Sequence, residues 1–460
     1  MRRLACLLAL GLAWSPGRAS AHGRPLQIER IAFDPGDPDH LILGATFGLV
    51  VTRDAGASWR WTCASAFGAD ATQEDPDLVI TDDGSVVLTT FGGVVRGEPD
   101  LCDYRYPGEL VRNVFVVDVA PDPVRAGAVW GLVSSGVVAD RVVRSEDSGR
   151  SWAAVGAPIE EQLLTERILL APSDPSRVYV SAAIPPAGDV LRQAFLLRSD
   201  DGGQTFEPTE IALVNGERLP HVVGVDPGDP DRLFVRMARG TVDPRPERLL
   251  YSDDGGRTFT SVLELPSLRG FAIAEDGRTV WAGSSHESRG LWVARDGATV
   301  FEQVNDVDVR ALASRGDELW VAVDQRTGGF ALGRSIDGGE TIEELLRFED
   351  VQELLECPRC SATGLDCPSW EPDLRADIAT YFGGIDGGTT GIPRDGGVPA
   401  ECLPDAGPEP PAPPPDAGGC GCSVAATRAP TAALASLLLV ALTALRRDRR
   451  SAGRSRTPRR

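Results

Sequence analysis

The sequence contains no lysine; all 46 basic residues are arginine, which reads as compositional bias and not as a mechanism. Histidine is scarce too, with four in 460 residues. There is no His-Glu-x-x-His, no Gly-x-Ser-x-Gly and no phosphate-cradling glycine loop, so none of the chemistries that need those arrangements is signalled. Long apolar runs are missing as well. The apolar run 430–445 has 16 uncharged residues, about 24 Å as a helix against a hydrocarbon core of about 30 Å. Positive charge is scarce where it would matter. The net charge is −21. Setting aside residues 1–21 and the tail after 445 leaves 35 basic and 66 acidic residues. So acidic a body excludes binding to nucleic acid through a general phosphate field. Apolar residues make up 42% of the chain, enough for a sizeable core, so wholesale disorder is excluded as well.

The two ends read as addresses. Residues 1–21 have a charged start (Arg2, Arg3), an apolar stretch from Leu4 to Leu12 and the small-residue site Ala19-Ser20-Ala21, as a secretory signal peptide does. The mature chain is then expected to begin at His22 in an oxidising compartment. At the other end come Gly419-Cys420-Gly421-Cys422, the apolar run 430–445 and an arginine cluster opened by Arg446 and Arg447. This tail, 420–460, is similar to the MYXO-CTERM sorting signal of myxobacterial surface proteins. The resemblance implies processing near Cys420 or Cys422 by a sorting protease. It also implies delivery to the cell surface, with the membrane engaged at least transiently through the tail.

Between the ends runs a repeat, Ser/Thr-x-Asp-x-Gly-x-Ser/Thr-Trp/Phe. It occurs with Asp54, Gly56 and Trp59; with Asp147, Gly149 and Trp152; with Asp201, Gly203 and Phe206; and with Asp254, Gly256 and Phe259. A further copy keeps Asp337 and Gly339 but has Ile342 in the aromatic place, and 295–298 is a weaker echo. The chemistry is that of a turn. The Asp carboxylate accepts nearby backbone N–H groups, Gly supplies a left-handed conformation, and the aromatic starts the next strand. A second punctuation, Asp-Pro-rich, precedes the copies at 34–38, 121–123, 172–175 and 226–230, between β-branched runs. Seven units follow, at about 27–62, 76–105, 114–156, 167–209, 221–264, 270–304 and 308–347. Four strands per unit at this spacing predict an all-β fold, a seven-bladed β-propeller with four-stranded blades over 22–348. The second unit has Glu98-Pro99-Asp100-Leu101-Cys102 in place of the turn motif. The motifs resemble the BNR, or Asp-box, repeats of sialidases, sortilin-type domains and photosystem II assembly factors. That resemblance implies the propeller and a structural role for the Asp turns.

After the propeller, 349–419 is expected to be a linker, first cysteine-containing and then rich in Pro and Gly, followed by the short apolar helix 430–445. Cys63 ends the first unit and Cys102 lies in the second, so adjacent blades predict a Cys63–Cys102 disulfide. Cys357, Cys360, Cys367 and Cys402 have irregular spacing. In an exported chain that favours disulfides over zinc, with three pairings open.

No catalytic residue, cofactor or metal site can be nominated. The acids are too numerous to single out a pair, and the sialidase-type arginine triad with its Tyr/Glu pair is not recognisable. The sequence therefore favours a non-catalytic, surface-anchored propeller that binds a protein or a glycan. The alternatives are a sialidase-like glycoside hydrolase with a divergent site and an envelope-assembly scaffold. A convergent arginine or carboxylate cluster in the central channel would favour the hydrolase; a bare channel would favour the others. Variable loops 183–193, 239–248, 286–289 and 324–329 fall on the face opposite the Asp turns and are the places where function is expected.

Overall fold

The computed structural model describes residues 24–383, apart from 135–138, 189–190, 215, 241–244, 286–288 and 298, together with Cys402. The signal peptide, His22, the Pro-rich spacer, Cys420, Cys422, the apolar run and the arginine cluster lie outside the described residues.

Each blade is an antiparallel four-stranded sheet built from consecutive strands, and seven such sheets succeed one another along the chain. Blade one pairs Ile28–Phe33, Leu41–Ala45, Gly48–Thr52 and Trp59–Cys63 in that order. The others span 78–105, 116–155, 164–211, 217–265, 268–305 and 309–346, within a few residues of the units read from the turns. The second strands are almost wholly buried, as Val86–Thr90 and Val280–Ser284 are. That explains their continuous β-branched and small-residue runs. Hydrophobic clusters lie between neighbouring blades. One joins Trp130, Val142 and Val155 of blade three to Ile168, Val178 and Leu197 of blade four.

The Asp turns close five blades by one hydrogen-bond pattern. In the blade-four copy Ser199 Oγ donates to Asp201 (2.8 Å) and accepts from the Gly203 N–H (2.8 Å). The same carboxylate accepts from the Thr205 N–H (2.9 Å) and hydroxyl (2.6 Å). Asp54, Asp147, Asp254 and Asp337 repeat this with their own neighbours. The glycine is required by geometry. Gly256 has φ +81°, and a Cβ there would stand 2.3 Å from Leu196 Cδ2. Hydrogen bonds from Thr205 and Thr341 hold the Asp201 and Asp337 carboxyls down at about 2, against an ordinary 3.8. A depressed carboxyl stabilises the fold above its unfolded pKa, and that contribution disappears as pH falls through the folded value. Acid titration followed by circular dichroism is therefore expected to show stability lost between about pH 4 and pH 2. Asp201→Asn combined with Asp337→Asn should flatten that slope.

Two expectations are corrected at the ring's closure. Among the described residues, blade seven contains no strand from the other end of the chain, so no shared strand there fastens the ring. Residues beyond it fasten it, and most of 349–383 is folded instead of being a linker. Val351–Leu354 adds a fifth, parallel strand to blade one, with Val351 opposite Trp59 and Leu354 opposite Trp61. A short helix, Ala362–Asp366, and a longer one, Glu371–Phe382, follow. Leu374 and Ile378 of the longer helix join Trp61, Phe47 and Phe348 in the cluster that also holds Trp320 of blade seven.

The cysteines belong to this clasp. Cys63 is bonded to Cys367 and Cys102 to Cys357, so there is no Cys63–Cys102 bond; Cys360 pairs with Cys402. The reason is packing. Thr363 donates its N–H to the Cys102 carbonyl (3.0 Å) and its hydroxyl to the Leu101 carbonyl (2.8 Å). The clasp is thereby seated along blades one and two, where each blade cysteine meets a partner from the tail.

Candidate functional site

The innermost strand of each blade lines the central channel, and its alternate residues face the axis. Five of these strands share one pattern: a charged or ionisable residue, one residue of any kind, then an apolar one. The triplets are Glu29-Arg30-Ile31, Arg167-Ile168-Leu169, His221-Val222-Val223, Arg269-Gly270-Phe271 and Arg310-Ala311-Leu312. These strands begin on the face opposite the Asp turns. The charged members therefore form a collar at that mouth, and Ile31, Leu169, Val223, Phe271 and Leu312 form an apolar throat within it. The collar encloses a cavity of about 220 Å³ that also admits Arg236 from the second strand of blade five. A second cavity, of about 300 Å³, shares Arg167 and His221 with the first and extends over blades two and three.

The channel is thus neither bare nor flat. A cluster of arginines is the feature expected of the hydrolase, but here most of them are tied to protein carboxylates instead of being left to a substrate. Arg30 Nε lies 2.5 Å from Asp77. Arg167 stands between Asp77 (3.5 Å) and Asp118 (3.4 Å), and Asp118 also accepts the Ile168 N–H at 2.8 Å. Arg236 makes a fork to Glu247 (2.9 and 3.0 Å). Arg310 reaches Asp324 at 2.8 Å. Arg269 differs: among the described residues it has no hydrogen-bond or ion-pair partner. Its side chain is exposed, and desolvation with the Arg236 and Arg310 guanidiniums depresses its pKa against the opposing pull of the Glu29 and Glu247 carboxylates. A guanidinium remains charged in any case. With no protein partner, its solvent-facing donors offer a place for an anion in a chain of net charge −21.

The acids around the second cavity fall into two kinds. Desolvation raises Glu166 to about 7. Burial would raise Asp77 as well, but the Arg167 and Arg30 guanidiniums outweigh it and hold that carboxyl below its ordinary value. Asp118 is pushed up by burial against the pull of Arg167, and the Asp77 charge adds to the rise. Burial, reinforced by the Arg236 charge, lowers His221 to about 3, so its imidazole is neutral at physiological pH. Among the described residues, no tyrosine lines either cavity.

The residues singled out in the sequence serve other ends. The Asp-turn residues lie on the opposite face and close hairpins; Cys63 and Cys102 anchor the clasp. Loop 324–329 forms one helical turn, Gln325–Gly328, capped by Asp324, and Asp324 supports Arg310. The other three loops fall partly outside the described residues. The charged–x–apolar repeat at the inner strands was the signal available in the sequence for the collar.

No protein-family profile and no curated protein matches the chain. Solved structures do. An ancestral GH74 enzyme is 12% identical over 69% of this chain, with a TM-score of 0.39; the chain spans about half that enzyme's length, 54%. The extracellular domain of a putative hybrid two-component system from B. thetaiotaomicron is 13% identical over 68% of this chain and 38% of its own, with a TM-score of 0.46. YCF48 bound to D1 peptide is 15% identical over 64% of this chain and 90% of its own, with a TM-score of 0.41. A propeller fold does not fix function, so function must be argued from the site.

Proposed function

We propose that this protein is an exported, surface-displayed propeller that binds a carboxylate-bearing ligand at the arginine collar of its channel. The observation that carries this reading is Arg269, an unpaired guanidinium opening into a cavity beside Arg236 and Arg310. The paired arginines are neutralised by their own acids; Arg269 is left to a ligand. The export and anchoring parts rest on the signal-like start and the sorting-like tail.

Titration calorimetry with two unrelated anions, trigalacturonate and a short poly-glutamate peptide, tests the reading. At least one should bind wild-type protein, more weakly as salt rises. Arg269→Ala should weaken it about 10- to 100-fold, as expected for a charge-assisted hydrogen bond of about 1.5–3 kcal/mol. Thermal stability should change little, because among the described residues no hydrogen bond or ion pair depends on Arg269. Binding of neither anion, or equal binding by the variant, would refute the reading.

One observation favours a second reading, hydrolysis of a glycoside. Glu166, raised to about 7, and ionised Asp77 line the same cavity, and two carboxyls held apart in this way can divide acid and base work. New reducing ends from trigalacturonate in the presence of wild-type protein, and none with Glu166→Gln, would establish it.

A further inference from the structure

Two of the largest exposed apolar side chains stand together at the rim of the second cavity. Phe91 is 55% and Phe115 46% exposed. Their ring centroids lie 6.1 Å apart with planes inclined at 34°. Phe91 sits on the turn between Val86–Thr90 and Gly93–Gly97; Phe115 immediately precedes Val116–Pro121. Blade two thus supplies one ring and the entry to blade three the other.

Exposed aromatics in an ordinary loop can fold back onto the surface. Here the backbone beneath the rings is fixed by hydrogen bonds, so the two are presented side by side. The Phe91 N–H is held by the buried Glu74 carboxylate. Thr90 Oγ1 donates to the Gly93 carbonyl (3.1 Å) and accepts the Gly92 N–H (3.2 Å). The Asn113 N–H meets the Gly92 carbonyl at 2.8 Å, and the Ser134 N–H meets the Phe115 carbonyl at 3.0 Å. Two rigidly presented rings leave apolar area in water at a cost of about 25 cal/mol per Å². The fold itself gains nothing from that exposure.

The rest of the cavity says what would cover them. Beside the rings its polar lining is Gln73, Glu74, Asp75, Asp77, Thr89, Thr90, Glu166, Arg167 and His221; the carboxylates and the Gln73 amide suit it to accepting from hydroxyls, and Arg167 is its one cation. Its volume, about 300 Å³, is at the small end of ligand pockets. A helix or strand of a partner protein would need a longer apolar groove. A sugar ring matches the arrangement: its C–H face is apolar and its edge carries hydroxyls.

We propose that Phe91 and Phe115 form a pyranose-stacking subsite, so that the ligand of the collar is an acidic glycan with a carboxylate toward Arg269 and another of its rings on the phenylalanines. This rests on the collar reading for the acidic group, while the stacking claim stands on the rings and their acceptor-lined cavity.

The experiment is calorimetry of trigalacturonate, neutral maltotriose and poly-glutamate with wild type, Phe91→Leu, Phe115→Leu, the double Leu variant and Phe91→Trp. Leucine keeps apolar bulk and removes the ring face. Each single Leu variant should lose about tenfold in trigalacturonate affinity, the double more, and Phe91→Trp should retain it. Both rings are exposed, so melting temperatures should hold. Trigalacturonate should bind more tightly than poly-glutamate, and poly-glutamate should be indifferent to the Leu changes. If the double Leu variant binds trigalacturonate as wild type does, the stacking subsite is refuted while the Arg269 result stands. If maltotriose binds and the Leu variants lose it while Arg269→Ala does not matter, stacking holds and the collar reading fails. Equal binding of peptide and sugar, both unaffected by the Leu changes, refutes the subsite.

Discussion

Replacing both Cys63 and Cys102 with Ser is expected to cost about 5–8 kcal/mol and to open the ring. The Cys63–Cys367 and Cys102–Cys357 bonds join residues 304 and 255 apart in sequence. On chain entropy alone a loop of the first size is worth roughly 5–6 kcal/mol, and engineered removals usually return less. With one bond kept, the other closes a much smaller additional loop. Either single replacement should therefore cost only about 2–4 kcal/mol. The consequence is local as well as global. Seven-unit rings need a closure, and here it is the clasp, which buries Leu374, Ile378 and Cys367 against blade one. Denaturant melts with and without reductant measure the loss. Limited proteolysis should find its first cuts between 350 and 383 in the reduced protein. A reduced protein as stable and as resistant as the oxidised one would show that the ring closes without the clasp.

Arg167→Ala is expected to destabilise by about 2–3 kcal/mol, more than any other single change in the collar. It would strand Asp118 and leave Asp77 to Arg30 alone; their side chains are 4% and 13% exposed. A fully buried pair would cost more, about 3–5 kcal/mol, but the Arg167 guanidinium is one-third exposed and solvent takes part of its role. The loss should be pH-dependent. With Arg167 removed, the Asp118 carboxyl, already raised by burial, rises further. A raised carboxyl contributes stability at low pH and loses it as pH climbs through its folded pKa. The variant should therefore differ from wild type most at neutral to alkaline pH and least near pH 4. Chemical denaturation across that range is the measurement. A constant difference would mean that the loss is packing, not charge.

The contrast between the ring and its fastening shows what a sequence of this kind discloses. Blades are local objects. Their Asp turns, Asp-Pro turns and β-branched strands lie within about 40 residues of one another, and each turn closes through hydrogen bonds two to four residues apart. The blade boundaries were therefore readable. The clasp depends on contacts hundreds of residues long, and no spacing rule chooses Cys367 over Cys102 as the partner of Cys63. Its longer helix did carry a weak signal, Leu374, Ile378 and Phe382 on one face after Pro372, hidden by surrounding Cys, Gly and Asp. The collar sits between these cases. Arg167, Arg269 and Arg310 occupy one register position on three inner strands, which the repeat reveals once the strands are aligned. That Arg269 alone lacks a carboxylate depends on which acids the neighbouring strands bring, and only the assembled channel determines it.

The most direct test of the central claim is a crystal structure of the full chain grown with trigalacturonate. The account predicts a carboxylate within hydrogen-bonding distance of the Arg269 guanidinium, inside the cavity bounded by Arg236 and Phe271. A sugar bound on the Asp-turn face or the outer rim, with Arg269 still unpaired, would contradict it.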